Sequence, residues 1–288
     1  MEKGTLIIGG GLIGLSIGWK LRLRGEPVTL LERGETGREA SWAGAGMLAP
    51  VGEVHFQEDL NLRLGQESLR LYPDFVAEVE AYTGRSVGFR MEGGMKVSLH
   101  ADDTAELRHL FEYQQKLDLP VRWLNGREAQ ELEPALSHNV VAALHIPADY
   151  QVDNRLLVDA LKAAFVKAGG TLHEHTPVDE VRLLDDGPPA VVAGGREWRH
   201  EHLLLAAGSW SGLIPGLDGA LRPWVRPVKG QMLAIRAPEG WLRHNLRTPD
   251  VYVVPRGDGR LVVGATVEEM GFNRDQTVGG VFELLRGA

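Results

Sequence analysis

The chain has 288 residues, 43% of them hydrophobic, with 31 Lys and Arg against 39 Asp and Glu for a net charge of −8. That length suits about two domains with sizeable cores, and charge spread without a long single-sign block points away from nucleic acid. No cysteine is present, which excludes disulfides, thiolate catalysis and cysteine-ligated metals.

The first element is a buried strand over 5–8, an aliphatic run with β-branched residues suited to a parallel sheet. Gly9, Gly11 and Gly14 follow at G-x-G-x-x-G spacing. In that order the first permits a tight turn, the second lets a pyrophosphate approach the backbone, and the third lets helix and strand pack closely. Leu15, Trp19 and Leu23 then share a helical face that Gly25 stops, and a strand over 28–31 ends in Glu32. An acid about 20 residues beyond the glycines can accept the two hydroxyls of an adenosine ribose. Lys20, Arg22 and Arg24 fall where a helix surface should be charged, not where a signal peptide is cleaved, and the glycines argue against a membrane span. A cytoplasmic protein is expected.

Past Glu32 comes "ETGREASWAGAGMLAP", a small-residue loop, then a helical pattern over 59–82. Alternation around "GGM" over 86–99 predicts antiparallel strands, and 102–116 opens on the capping residue Asp102 and reads as helix. Asp153 is the expected N-cap of a Leu- and Ala-faced helix that Gly169 and Gly170 stop. Short strands are expected over 171–175, 178–184 and 190–193, and "HLLLAAGSW" at 202–210 is a buried strand running into a small-residue turn. From Arg222 onward, alternating segments bounded by turns such as "GDGR" suggest a second, mostly antiparallel sheet. Arg256, before that turn, reads as a strand end at the surface. The pairs His173 with His175 and His200 with His202 read as polar strand surface, not as metal ligands.

The fold class is therefore α/β with an α+β insert: a Rossmann-like dinucleotide-binding domain interleaved with a mostly antiparallel substrate domain. The boundaries expected are 1–84 and 148–218 for the first, and 85–147 and 219–288 for the second. An active site at their junction follows naturally.

The ordered motifs "IIGGGLIG", "SWAGAGML", "GGM", "DYQVDNRLLVDAL", "EHTPV", "AAGSWSG", "PVKGQ", "YVVPR" and "RLVVGAT" run from end to end. With them the chain resembles the D-amino-acid oxidase family of FAD-dependent amine oxidases, above all its glycine oxidase branch, which feeds thiazole formation in thiamine biosynthesis. The resemblance implies FAD as cofactor, with Leu12 and Ile13 along the pyrophosphate at a helix N-terminus. It implies Glu32 and Arg33 at the ribose, Ala40 and Ser41 at a second phosphate contact, and Ala45, Gly46 and Met47 against the isoalloxazine ring. Val178 would meet the adenine through its backbone, with Ala207, Gly208 and Trp210 in a second flavin-side turn. Tyr252 would contact the carboxylate of an amino-acid substrate, while Val267 and Asp250 stand where the family often has methionine and histidine.

The implied reaction is oxidative deamination of glycine, a small amine or a D-amino acid to the imino acid, with oxygen reduced to peroxide. No side-chain base and no metal is needed, because the flavin takes the hydride. The family also suggests a homo-oligomer, and neither nucleic acid nor membrane as a partner. It continues beyond "TVGGVFELLRGA" into a segment that closes the flavin site and carries a "GLRP"-like arginine to clamp the substrate carboxylate, absent from these 288 residues. Alternatives to a working oxidase are therefore a truncated FAD-binding chain without a competent site, or half of a complex completed by another chain. Missing sheet strands would leave an unpaired edge and an apolar face.

Overall fold

A computed structural model describes residues 2–54, 56, 59–184, 186–217 and 222–288. In chain order the strands are β1 (Glu2–Ile8), β2 (Val28–Leu31), β3 (Met47–Leu48), β4 (Gly94–Ser98), β5 (Arg122–Asn125), β6 (Ala142–Ile146), β7 (Tyr150–Gln151), β8 (Thr171–His173), β9 (Val178–Arg182), β10 (Ala190–Ala193), β11 (Arg196–Leu205), β12 (Met232–Arg236), β13 (Asn245–Arg247), β14 (Tyr252–Pro255) and β15 (Arg260–Gly264). The helices are α1 (Leu12–Leu23), α2 (Ala40–Ala43), α3 (Asp59–Thr83), α4 (Ala101–Lys116), α5 (Gly126–Leu132), α6 (Asn154–Lys167) and α7 (Val278–Gly287).

Apolar residues on both sides of β1 force it into the middle of a covered sheet. Ile7 packs with Leu15, Trp19 and Phe165 on the α1 and α6 side, whereas Leu6 and Ile8 pack with Val181, Val191 and Trp198 on the other. The sheet runs β8-β2-β1-β11-β10-β9, parallel from β8 to β11. β11 serves two neighbours: residues 196–199 pair antiparallel with β10, and from His200 onward it pairs parallel with β1. The second sheet runs β12-β15-β14-β13-β4-β6-β5, antiparallel except between β13 and β4. A two-stranded ribbon, β3 with β7, lies apart from both sheets.

Several local expectations are corrected. The stretch 86–99 forms one strand, β4, antiparallel to β6 as its alternation suggests but parallel to β13. The helix expected from Asp102 starts at Ala101, with His100 as N-cap and Asp103 bonding back to the His100 N–H at 3.1 Å. Leu15 and Trp19 are buried on α1, but Leu23 is exposed. His200 is not surface: it is buried, with Nε2 3.2 Å from the Thr29 hydroxyl. The small-residue loop after Glu32 contains the one-turn α2 and the strand β3.

Arg256 departs furthest from expectation. It is 6% exposed and binds Gln151 Oε1, the Val152 carbonyl, the Ala45 carbonyl and Asn154 Oδ1 at 2.7–3.2 Å. "PRGDGR" does end a strand, but its arginine turns inward because four acceptors from distant segments converge on it.

Candidate cofactor and substrate site

Three parallel strands end together, and a cavity of about 450 Å³ opens at their carboxyl ends. Its lining comes from Ile8–Ile13 after β1, apart from Gly10, from Leu31–Arg33 at the end of β2 and from Ala206–Trp210 after β11, closed by Ala40, Ser41 and Thr176–Val178. In open α/β sheets this is where nucleotides bind.

Each wall has a local cause. Gly9 takes φ +110°, and a Cβ there would lie 2.4 Å from the Ala206 carbonyl oxygen. Gly14 must be glycine because a Cβ would meet the Gly9 carbonyl oxygen at 2.0 Å. At Gly11 a Cβ would meet only Ser41 Oγ, at 3.1 Å. The space above Gly11 thus belongs to the cavity. α1 has Gly11 as N-cap, without a capping side chain and without an acid in its first turn, which leaves its positive end for an anion. The Leu12 N–H donates to Ser41 Oγ at 3.0 Å, so α2 is tied to that helix start.

Glu32 is buried at the end of β2 and accepts from the Gly10 and Gly34 N–H groups at 2.8 and 2.9 Å. Two backbone donors fix the carboxylate and leave acceptor sites free for ribose hydroxyls. Arg33 stacks on Trp210, its guanidinium carbon 3.6 Å from the ring centroid, and pairs with Glu39. Val178 begins β9 at the cavity wall, and Gly208 turns there with φ +53°.

Ala45, Gly46 and Met47 lie beyond Ser41, held by β7, by the Val152 backbone ahead of α6 and by Arg256 just after β14. Gly46 has φ +66°, a Cβ there would sit 2.0 Å from the Val152 carbonyl oxygen, and its own carbonyl accepts from the Val152 N–H at 2.9 Å. The Arg256 bond to Ala45 completes the clamp. The sequence reading missed this part for Arg256, and the only signal was a cation next to a turn.

Tyr252 opens β14, half-buried, its hydroxyl 3.7 Å from Met232 Sδ. Met232 lines a second cavity of about 360 Å³ that shares Glu39, Ala40, Ser209 and Trp210 with the first; Tyr252 itself lines neither. Burial, reinforced by the Glu53 charge, pushes the Tyr252 phenol above its ordinary value, so it stays a hydrogen-bond donor at neutral pH. Asp250 is exposed just before β14, and Val267 is exposed beyond β15. Among the described residues no cluster of three His, Asp or Glu could hold a metal, and no helix is long and apolar enough to cross a membrane.

Residues 5–288 match the family described as FAD dependent oxidoreductase, DAO. The chain belongs to that family. It is similar to the glycine oxidase of Geobacillus kaustophilus, 34% identical over 284 residues that make up 98% of this chain and 74% of the relative. The crystal structure of that relative superposes with a TM-score of 0.91, covering 99% of this chain and 77% of the other. The bifunctional protein ThiO/ThiG of Trichormus variabilis is 33% identical over 292 residues, all of this chain but 43% of that protein. A structure of iminodiacetate oxidase from Chelativorans sp. BNC1 matches at TM-score 0.82 and 27% identity, over 98% of this chain and 77% of the other. The chain thus spans about three quarters of the single-function relatives and less than half of the bifunctional one. FAD is the cofactor of this family member, and the glycine-lined cavity with buried Glu32 at its wall has the chemistry to take the nucleotide end of it.

Proposed function

We propose that the protein oxidises glycine, or another small amino acid or amine, to the imino acid with oxygen as final acceptor and peroxide as by-product. Its place would be the cytoplasm, its assembly a homo-oligomer, and its product a precursor for thiazole formation in thiamine biosynthesis. The observation that carries this reading is the glycine-lined cavity from Gly9 to Ser41, with the Ala45–Met47 loop, which lines neither cavity, clamped beyond it by Arg256. The likeness to glycine oxidases along nearly the whole chain supports it.

In this reading Gly9, Gly11, Leu12, Ile13, Gly14 and Ser41 hold the pyrophosphate, with Ala40 beside them. Glu32 and Arg33 hold the ribose, and Val178 and Gly208 flank the nucleotide. Bound FAD supplies a two-electron acceptor for the hydride on the α-carbon of a neutral amine. Ala45, Gly46 and Met47 offer a rigid wall, and the Tyr252 phenol donates to the substrate carboxylate so that the α-carbon faces that wall. No chain carboxylate or histidine is required as a base, because the amine binds already neutral.

The test is an absorbance spectrum of the protein purified with FAD, followed by anaerobic glycine, sarcosine or D-alanine. Oxidised-flavin bands that bleach with one of them are expected. A yellow protein that none of them bleaches would sink the oxidase reading. A second reading, an FAD-binding chain completed by another chain, is favoured by exposed Val278 and Phe282 on α7 and Val267 between β15 and α7. Bleaching that appears only when a second protein is added would support it.

A further inference from the structure

Between β15 and α7 the chain is fastened at two points. Glu268 exchanges both backbone hydrogen bonds with Lys229, at 2.9 and 3.0 Å. Thr277, the N-cap of α7, donates its N–H to Gln231 Oε1 at 2.8 Å, and its hydroxyl accepts from Gln231 Nε2 at 2.9 Å. The same amide nitrogen donates to Glu268 Oε1 at 2.7 Å, so the buried Gln231 side chain holds both ends. Residues 269–276 between these anchors are all exposed and belong to no helix or strand. Gly271 bends that span at φ +56°, with nothing near the place a Cβ would take. A segment fastened at its ends and open to water along its length can swing as a unit.

Its crown reaches the nucleotide half in two places. Arg274 Nη1 donates to Glu39 Oε2 at 2.9 Å, and Phe272 packs on Trp210 with ring centroids 4.9 Å apart. Glu39 and Trp210 belong to both cavities, whereas Phe272 and Arg274 line only the second. The same two residues hold Arg33, through its pair with Glu39 and its stack on Trp210. The crown therefore covers the side on which the nucleotide cavity opens into its neighbour. The Arg274 side chain is 74% exposed, and an ion pair so open to water adds little stability and is screened by salt. A single ring pair adds only a modest increment beyond its buried area. Such a closure holds without being permanent.

We propose that residues 269–276 are a strap over the nucleotide cavity, latched by Arg274 on Glu39 and by Phe272 on Trp210, that lifts to let FAD in and out. The inference rests on FAD as the family's cofactor and not on the choice of amine substrate. With the strap down, the cavity is closed on this side and Arg33 is pinned between Trp210 and Glu39. With it up, Glu39 is released from Arg274 and the shared wall opens to solvent. The same barrier stands in both directions, so the strap governs the rates of uptake and release more than the affinity. Gln231 is the positioning residue, because it fixes both ends and so returns the crown to the same latch.

The variants Arg274→Gln, Phe272→Ala and Glu39→Gln test this in stopped-flow, with flavin fluorescence reporting FAD uptake by the apoprotein and its release from the loaded protein on dilution. Breaking either contact is expected to raise both rates roughly 2- to 10-fold, the range for losing an exposed ion pair or a ring pair, with the dissociation constant nearly unchanged. Glu39→Gln separates a latch from simple steering of the anionic cofactor. A latch makes Arg274→Gln and Glu39→Gln fast alike, whereas steering makes the first slow and the second fast. Because the chain has no cysteine, Glu39→Cys combined with Arg274→Cys can be tied by a short bis-maleimide. The tied protein should lose FAD exchange that the untied one shows. Opposite effects in the two charge variants, faster release without faster uptake in Phe272→Ala, or undiminished exchange in the tied protein would each overturn the inference. No amine enters these measurements, so their failure leaves the oxidase reading intact.

Discussion

The three glycines at the start of the chain carry different burdens. Gly9 and Gly14 are needed by the chain itself, since a Cβ at either collides with backbone. A Cβ at Gly11 would meet only Ser41 Oγ, which also accepts from the Leu12 N–H. Gly11→Val is therefore expected to fold with a slightly lowered melting temperature in the absence of FAD and to purify colourless, whereas Gly14→Val should fail to fold. Melting curves and the 450 nm region of the spectrum check both. Glu32 was legible in the sequence because its distance from the glycines is set by one helix. Arg256 and Arg247 were not, because their partners lie far away in sequence: Ala45 and Val152 for the one, Glu53 and Asp149 for the other. A charge looks exposed until the fold brings its acceptors.

Elements capped by their own neighbours were the most legible. Asp153 accepts from the Arg155 and Leu156 N–H groups at 3.0 and 3.3 Å, as a residue starting a helix should. The antiparallel pairing of β4 with β6 accords with its alternation, whereas its parallel neighbour β13 went unseen, because no local pattern announces a partner that distant. At this scale Glu174 ties three elements together: it follows β8 and accepts from the Thr36 N–H and from Lys162 of α6, both at 2.7 Å. Burial alone would raise its pKa, but Lys162 and Thr36 outweigh that and bring it down to about 2. A carboxyl depressed in the folded state stabilises the fold above its unfolded value, near 4.5, and that stabilisation fades as pH falls towards 2. Glu174→Gln should therefore be less stable than the parent at neutral pH and show a flatter loss of stability between pH 4.5 and 2. Urea midpoints across that range measure it, and parallel curves for the two proteins would refute the assignment.

For the whole molecule, Arg256 joins β14 of the second sheet to the Ala45–Met47 loop and the start of α6. Its removal would leave the Ala45 and Val152 carbonyls and the Asn154 side chain short of a donor in a buried place. Arg256→Met is expected to cost about 3–5 kcal/mol and to weaken FAD retention, because the clamp on the loop goes with it. A variant as stable as the parent in denaturant titration would show that the clamp is dispensable.

β1 meets its neighbours at very different moments in the life of the chain. Thr5 pairs with Val28 on one side and with His202 on the other. At ribosomal speeds of about 5–20 residues per second, the second neighbour arrives roughly 10 to 30 seconds after the first. Throughout that interval an aliphatic strand has one ladder edge open, the kind of edge that recruits other nascent chains. The third wall of the nucleotide cavity, Ala206–Trp210, follows directly on that late strand. FAD therefore cannot chaperone the early chain: it finds its full binding site only after most of the protein has been made, and until then the exposed edge depends on the cell's folding helpers.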